Sequence, residues 1–326
     1  MPFPEVIGHE RVKGLLAAAL AGGRLPPALL LTGPAGVGKK LLAQATARGL
    51  LCARGPGEPC DECATCGRVR RGLHPDTALV VPDGAFIKVD AVRALVREVA
   101  GRPFEGRARA YVLDDAHAMN DQAQNALLKS LEEPPPTSHL LLVTDAPQGL
   151  LPTIRSRCQT LRLGPLPARL LEEALRERHS LSAEDAHLRA ALCGGSLGAA
   201  LAFESDSFQE RREELLALLE SAARLTAIDR IEAADGLKDT GDPALLLTVL
   251  RSLLRDVAAL AAGAAPRALL NADVAARLAP LAAGPLGRGA GDLATDVFIL
   301  REDLRTNANW LLLLDALLDR LVARAA

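Results

Sequence analysis

The chain has 326 residues, enough for two or three domains. Hydrophobic residues make up 49% and charged residues 24%, which fits a globular protein and excludes a disordered chain. The net charge of -2 gives the whole chain no pull on DNA or anionic membrane, and aromatic residues at 2% argue against a surface that stacks single-stranded bases.

Residues 1–13, MPFPEVIGHERVK, mix acidic and basic groups ahead of any apolar run, so no secretory signal is expected. The late apolar run WLLLLDALLDRLV is interrupted by Asp315 and Asp319, too soon for a membrane span. Four of the six cysteines fall within fifteen residues, and without an export signal they point to a metal site rather than disulfides. A cytoplasmic protein is expected.

In chain order, the first half alternates strands and helices. Ala28–Thr32 (ALLLT) is a short apolar run ending in glycines, the form of a buried strand. Ala78–Pro82, Ala110–Asp114, Leu140–Thr144 and Thr160–Leu163 repeat it. Val89, Val92, Val96 and Val99 mark one face of a helix that Asp90 helps to start. Ala123, Leu127 and Leu131 mark another, stopped by Pro134–Pro136. Strands buried on both faces with helical crossovers predict a parallel α/β sheet. After Gly164–Pro167 the patterns are helical. Ser182 and Asp185 form a capping box, and Gly194–Gly198 ends one helix and starts the next. Breaks are expected near Gly241–Pro243, Gly263–Pro266 and Gly284–Gly291. The expected plan is an α/β domain over 1–165, a small helical domain over 166–206 and a larger helical domain over 207–326.

Between the first strand and the next helix lies TGPAGVGKK. Gly33, Gly38 and Lys39 complete the G-x-x-x-x-G-K spacing of a phosphate-binding loop, with Gly36 a further candidate binding residue inside it; the loop's backbone N–H groups and helix N-terminus face an anion. The following position should carry a hydroxyl for Mg²⁺, and here it is Lys40. Hydrolysis also needs two acids at a strand end, one for the metal and one to orient water. Asp114 and Asp115 are the candidates, although they could merely cap the strand. A Glu is usual at the second position. Asp is shorter by about 1 Å, a displacement that can lower a rate by roughly 100-fold.

Cys52, Cys60, Cys63 and Cys66 form a C-x7-C-x2-C-x2-C array, which can surround a tetrahedral Zn²⁺. An Fe–S cluster or free thiols are the alternatives. With no redox or catalytic partner evident, a structural zinc module over about 52–66 is the expectation. Cys158 and Cys193 stand alone and read as packed thiols. Arg68, Arg70 and Arg71 follow the cysteines and could touch phosphate, although so short a run is more often solvated surface.

These residues together resemble the bacterial replicative clamp loader, the AAA+ complex that loads the sliding clamp of DNA polymerase III. The resemblance runs through VIGHERV (Val6–Val12), GRLPPALLLTGPAGVGK, the four cysteines, His74–Asp76, NALLKSLEEPP (Asn125–Pro135) and IRSRCQ (Ile154–Gln159), and continues into GGSLGAAL (Gly194–Leu201). It implies an AAA+ parallel-sheet domain with an inserted zinc module, a helical lid and an all-α collar that oligomerises. Within the family the chain is similar to the delta-prime subunit rather than the gamma/tau motor. The motor pattern has Lys-Thr or Lys-Ser in the loop, Asp-Glu in the acid pair and an Arg that contacts the γ-phosphate near Gly198; Lys40, Asp115 and Gly198 depart from all three. Intrinsic ATPase activity is therefore not expected, and retention of ATP or ADP stays open. The family's SRC motif is present at Ser156–Cys158, which implies that Arg157 reaches into a neighbouring subunit's ATP site. Without the resemblance, Arg157 is a solvated Arg beside Arg155. The implied partners are gamma/tau and delta subunits and, through the assembled complex, the clamp and primed DNA. Two other readings compete: a gamma/tau-like ATPase, and a stand-alone zinc-containing nucleic-acid-binding protein.

Overall fold

A computed structural model describes residues 3–238, 242–303 and 310–325. In chain order the elements are α1 (Glu10–Ala21), β1 (Ala28–Thr32), α2 (Lys39–Leu51), α3 (Ala64–Arg70), β2 (Thr77–Val80), α4 (Val89–Val99), β3 (Arg109–Leu113), α5 (Asp121–Glu132), β4 (Ser138–Thr144), α6 (Pro152–Arg155), β5 (Gln159–Arg162), α7 (Ala168–His179), α8 (Ala183–Leu192) and α9 (Leu197–Ala202). Then come α10 (Ser205–Ser221), α11 (Ala227–Lys238), α12 (Pro243–Ala261), α13 (Ala275–Ala283), α14 (Pro285–Asp303) and α15 (Trp310–Ala325). The chain divides into two compact units. The first runs to Ser180 and includes Cys193–Leu201; the second comprises Leu181–Leu192 and the chain from Ala202 onward.

The first unit is built on a five-stranded parallel sheet in the order β2-β3-β4-β1-β5. Side chains alternate across a strand, so each central strand feeds two cores. Leu29 and Leu31 of β1, with Leu141 and Val143 of β4, pack against Leu16 and Leu20 of α1 and Leu42 and Leu50 of α2. Leu30, Leu140, Leu142, Tyr111 and Leu113 meet Val92, Leu95 and Val99 of α4 and Leu127 and Leu131 of α5. Helices on both faces explain why the central strands read as unbroken apolar runs.

Burial on both faces holds for β1 and for most of β3 and β4, but not for β2 and β5. The two outer strands pair on one side only and are partly exposed, which corrects the expectation that every strand is buried. Asp90 lies in the first turn of α4, where a carboxylate favours the helix dipole. Asn120 caps α5 by accepting a hydrogen bond from the Ala123 N–H at 2.9 Å.

The second unit is helical. Leu246, Leu247, Leu250, Leu253, Leu254 and Val257 run buried along α12 and pack with Leu215, Leu216 and Leu219 of α10 and with Leu286, Ala290, Leu293 and Val297 of α14. Asp242 starts α12 by accepting from Ala244 N and Leu245 N. Part of the break expected at Gly241–Pro243 lies outside the described residues. The Gly263–Pro266 break separates α12 from a short 3-10 turn at Pro266–Ala268. Gly284–Gly291 behaves differently: after a break at Gly284, α14 runs straight through Gly287, Gly289 and Gly291. A Cβ on Gly287 would lie 2.0 Å from Ala282 O, so close backbone approach rather than helix termination accounts for that glycine. At α8, Ser182 Oγ accepts from Asp185 N at 3.1 Å, as the capping box predicts. The Asp185 carboxylate instead accepts from Arg189 and Ser205.

Candidate nucleotide site and cysteine cluster

The β1–α2 loop turns through positive φ at Gly33, Gly36 and Gly38 (144°, 71° and 102°). Gly38 is the N-cap of α2, so no side chain caps that helix end. Lys39 is buried and its Nζ donates to Gly33 O at 2.8 Å and Pro34 O at 2.7 Å. Burial pushes the Lys39 pKa down, against the opposing pull of Asp145, Asp115 and Asp114. The N-terminal segment braces the loop: His9 Nε2 donates to Val37 O at 2.9 Å, and burial lowers the ring's pKa. Buried Lys13 donates to Val6 O and pairs with Glu10.

Beside the loop is a cavity of about 420 Å³, lined by Gly36, Lys39, Lys40, Asp114, Asp115 and Gly198 among others. Lys40 Nζ lies 2.9 Å from Asp114 Oδ2. Asp114 is the carboxylate that a hydrolysing site would give to magnesium, and here an ammonium of the same chain sits on it. Asp115 is exposed in a left-handed conformation (φ 47°, ψ 48°). The Gly198 N–H donates to Gly36 O at 3.0 Å, so the start of α9 abuts the loop through backbone.

The sequence reading missed three residues here. His117 Nδ1 lies 3.0 Å from Thr144 Oγ1 and 3.6 Å from Asp145 Oδ1. They follow β3 or end and follow β4, and the C-terminal edge of a parallel sheet is where ligand sites form. The DAH and TD stretches after two apolar runs were the available signal.

Arg157 lies just past α6, some distance along the chain from the loop, with its guanidinium engaged locally. Nη1 donates to Thr153 O at 3.0 Å, and Nη2 pairs with Glu132 at 2.8 Å. The two side chains are 35% and 48% exposed, and an exposed pair of this kind contributes about 0–1 kcal/mol, so it is easily exchanged.

The four cysteines converge as their spacing predicts. Their sulfurs lie within 4.8 Å of one another, with Cys60 and Cys66 4.0 Å apart. A zinc ion with Zn–S bonds of about 2.3 Å needs sulfur separations of about 3.8 Å, so the thiols fit one tetrahedral ion. Cys63 caps α3, and the Cys66 N–H pointing at its sulfur lowers its pKa to about 6. Burial pushes Cys66 the other way. A cation at the centre would favour all four thiolates together. The cluster is tied to α2 through Arg48, which pairs with Asp61 at 3.1 Å and also with Glu5. Arg70 reaches the same Asp61 at 2.6 Å, and Arg68 reaches Glu105 at 2.7 Å. Two of the three arginines after the cysteines are thus spent on acids. Cys158 is buried, with its pKa raised to about 11 by burial, as a packed thiol should be; Cys193 is partly exposed.

Asp76, in the His74–Asp76 stretch, is fully buried. It accepts from the backbone N–H groups of Phe104, Glu105 and Gly106 at 2.5, 3.0 and 2.7 Å and from Arg109 Nε at 3.3 Å. Burial works against its charge, but these donors hold its carboxyl below the usual range.

A parallel sheet of this order, with a glycine loop after β1 and acids after β3, is the arrangement of a phosphate-loop nucleotide-type domain. A family model described as DNA polymerase III, delta subunit, matches residues 8–167. The delta' subunit of DNA polymerase III from Escherichia coli is 35% identical over 313 residues, 94% of this chain and 92% of that protein. The Bacillus subtilis delta' subunit is 38% identical over 212 residues, 65% of this chain and 64% of that protein. The Escherichia coli tau subunit is 39% identical over 183 residues, 54% of this chain but 28% of that protein. The chain thus spans less than two thirds of the Bacillus and tau relatives. The near full-length match decides the family: the chain belongs to the delta-prime subunits of DNA polymerase III. Among the described residues no helix is long and apolar enough to cross a membrane.

Proposed function

We propose that the chain is a clamp-loader subunit that turns over little or no ATP itself and supplies Arg157 to the ATP site of a neighbouring gamma/tau motor. The Lys40–Asp114 pair carries this reading. It neutralises the carboxylate that hydrolysis would give to a metal, at a position that also lacks the metal-binding hydroxyl. Gly33, Gly36, Gly38 and Lys39 remain a nucleotide cradle without turnover. The motor's activity must then come from another subunit. Arg157, held by an exposed ion pair, is free to exchange Glu132 for a phosphoryl group across a subunit boundary, where a planar guanidinium stabilises spreading charge.

Cys52, Cys60, Cys63 and Cys66 hold a structural Zn²⁺ that fixes the module to α2. The lid over 166–206 and the collar over 207–326 complete a cytoplasmic subunit, which joins gamma/tau and delta in a ring that opens the sliding clamp and places it on primed DNA. Mixing the purified chain with candidate motor and delta subunits tests this. A stoichiometric complex whose ATPase activity exceeds that of its parts is expected. A chain that stays apart and hydrolyses ATP alone would favour a gamma/tau-like motor, and tight salt-dependent DNA binding by the isolated chain would favour a stand-alone binding module.

A further inference from the structure

Lys40 changes two metal contacts at once. It removes the hydroxyl that would follow Lys39, and it lays an ammonium 2.9 Å from Asp114 Oδ2. We infer that Lys40 stands in for the magnesium ion, so that the loop takes the phosphates of a nucleoside di- or triphosphate in metal-free form. This rests on reading the glycine loop as a nucleotide site that no longer turns over.

Magnesium demands near-octahedral oxygen ligands at about 2.0–2.1 Å, usually one or two carboxylates together with phosphate and water. Lys40 takes Oδ2 of Asp114, so a magnesium ion that used the remaining Oδ1 would sit beside a fixed positive charge. The Lys40 side chain is 43% exposed and that of Asp114 is 14% exposed, so the ammonium stands at the solvent side of a half-covered carboxylate. Both line the same cavity as Lys39 and the loop glycines. An ammonium has three donors. Asp114 takes one, and the others are available to phosphate oxygens. The charge that a metal would bring is thereby built into the chain, one residue from the lysine that already serves the loop. Asp115 and Asp145, near enough to Lys39 to pull on its proton, limit how much negative charge the cavity can accept.

The test is equilibrium binding of a fluorescent ADP analogue to the full chain, in EDTA and in millimolar MgCl₂. The unmodified chain should bind in EDTA, and magnesium should leave binding unchanged or weaken it by sequestering the free nucleotide. Lys40→Thr frees Asp114 and restores the hydroxyl. It should bind about tenfold more weakly in EDTA and recover in magnesium. Lys40→Gln, which offers neither charge nor a hydroxyl, should be weak in both. Lys40 is half exposed on the first turn of α2, so these variants should fold, and unchanged thermal midpoints check that they do. Tightening of the unmodified chain by magnesium by about tenfold or more would overturn the substitution while leaving the loop a nucleotide site. Identical behaviour of Lys40→Thr and the unmodified chain would overturn it too. Binding in neither condition would remove the nucleotide site altogether, yet leave assembly with a motor subunit untouched.

Discussion

Gly198 and Gly36 meet backbone to backbone: the Gly198 N–H donates to Gly36 O at 3.0 Å, and a Cβ on Gly198 would stand 2.9 Å from the Gly36 Cα. The position where the family's motors place a phosphate-contacting arginine is therefore filled by a contact that tolerates no side chain. Gly198→Arg should destabilise the first unit by about 1–3 kcal/mol, as overpacking does, without creating ATP turnover. Thermal unfolding and a phosphate-release assay on the same preparation check both halves.

The isolated chain should show little or no ATPase activity. Lys40 occupies Asp114, Asp115 is short for orienting water, and Gly198 contributes no charge. Lys40→Thr alone should not restore turnover, because the other two changes remain. A steady-state rate of about 1 per second or more from the unmodified chain would contradict this.

Protein purified without added metal should carry about one Zn²⁺ per chain, the content of a single four-thiolate site. Cys63→Ser should lower metal content and thermal stability together. A metal-free protein with four titratable thiols at Cys52, Cys60, Cys63 and Cys66 would remove the zinc assignment.

Asp76→Ala should cost about 3–5 kcal/mol, because it strands three backbone donors and Arg109 around a buried position. The pH dependence has a definite sign. The folded pKa of Asp76 is depressed, so its contribution is complete above its unfolded value of about 3.9 and is lost as pH falls through the lower folded value. Asp76→Asn should flatten that acid limb in denaturant titrations across the acidic range.

The sheet was legible because its central strands are apolar on both faces. The apolar runs of β1 and β4 could be read directly, and the structure pairs Leu29–Leu31 with Leu141–Val143. Strand starts were harder to place: β2, β3 and β5 begin one residue before the apolar run, at Thr77, Arg109 and Gln159, and β4 begins two before it, at Ser138. The cysteine cluster was legible because its ligands are close in sequence. The Lys40–Asp114 pair was not, since 74 residues separate its partners and only the packing of α2 on the sheet joins them. Lys40 looked like an absence and is instead a partner. The glycines of α14 misled for a related reason: propensity marks Gly287 as a break, yet the helix runs through it, and the nearby backbone of Ala282 explains why that position is glycine.

Arg157→Ala, measured in the assembled complex, bears most directly on the role in trans. The change removes only an exposed pair with Glu132 and a bond to Thr153 O, so the variant should fold and assemble normally. It should lower ATP turnover at the adjoining motor site, where such fingers can contribute on the order of 10³-fold, with a smaller loss summed over a ring whose other sites keep their own. Arg157→Lys should rescue poorly, because a point charge does not reproduce the planar fork. The decisive readout is clamp loading by the fully assembled Arg157→Ala complex: a marked loss is predicted, and loading at the unmodified rate would contradict a catalytic role for Arg157 in trans.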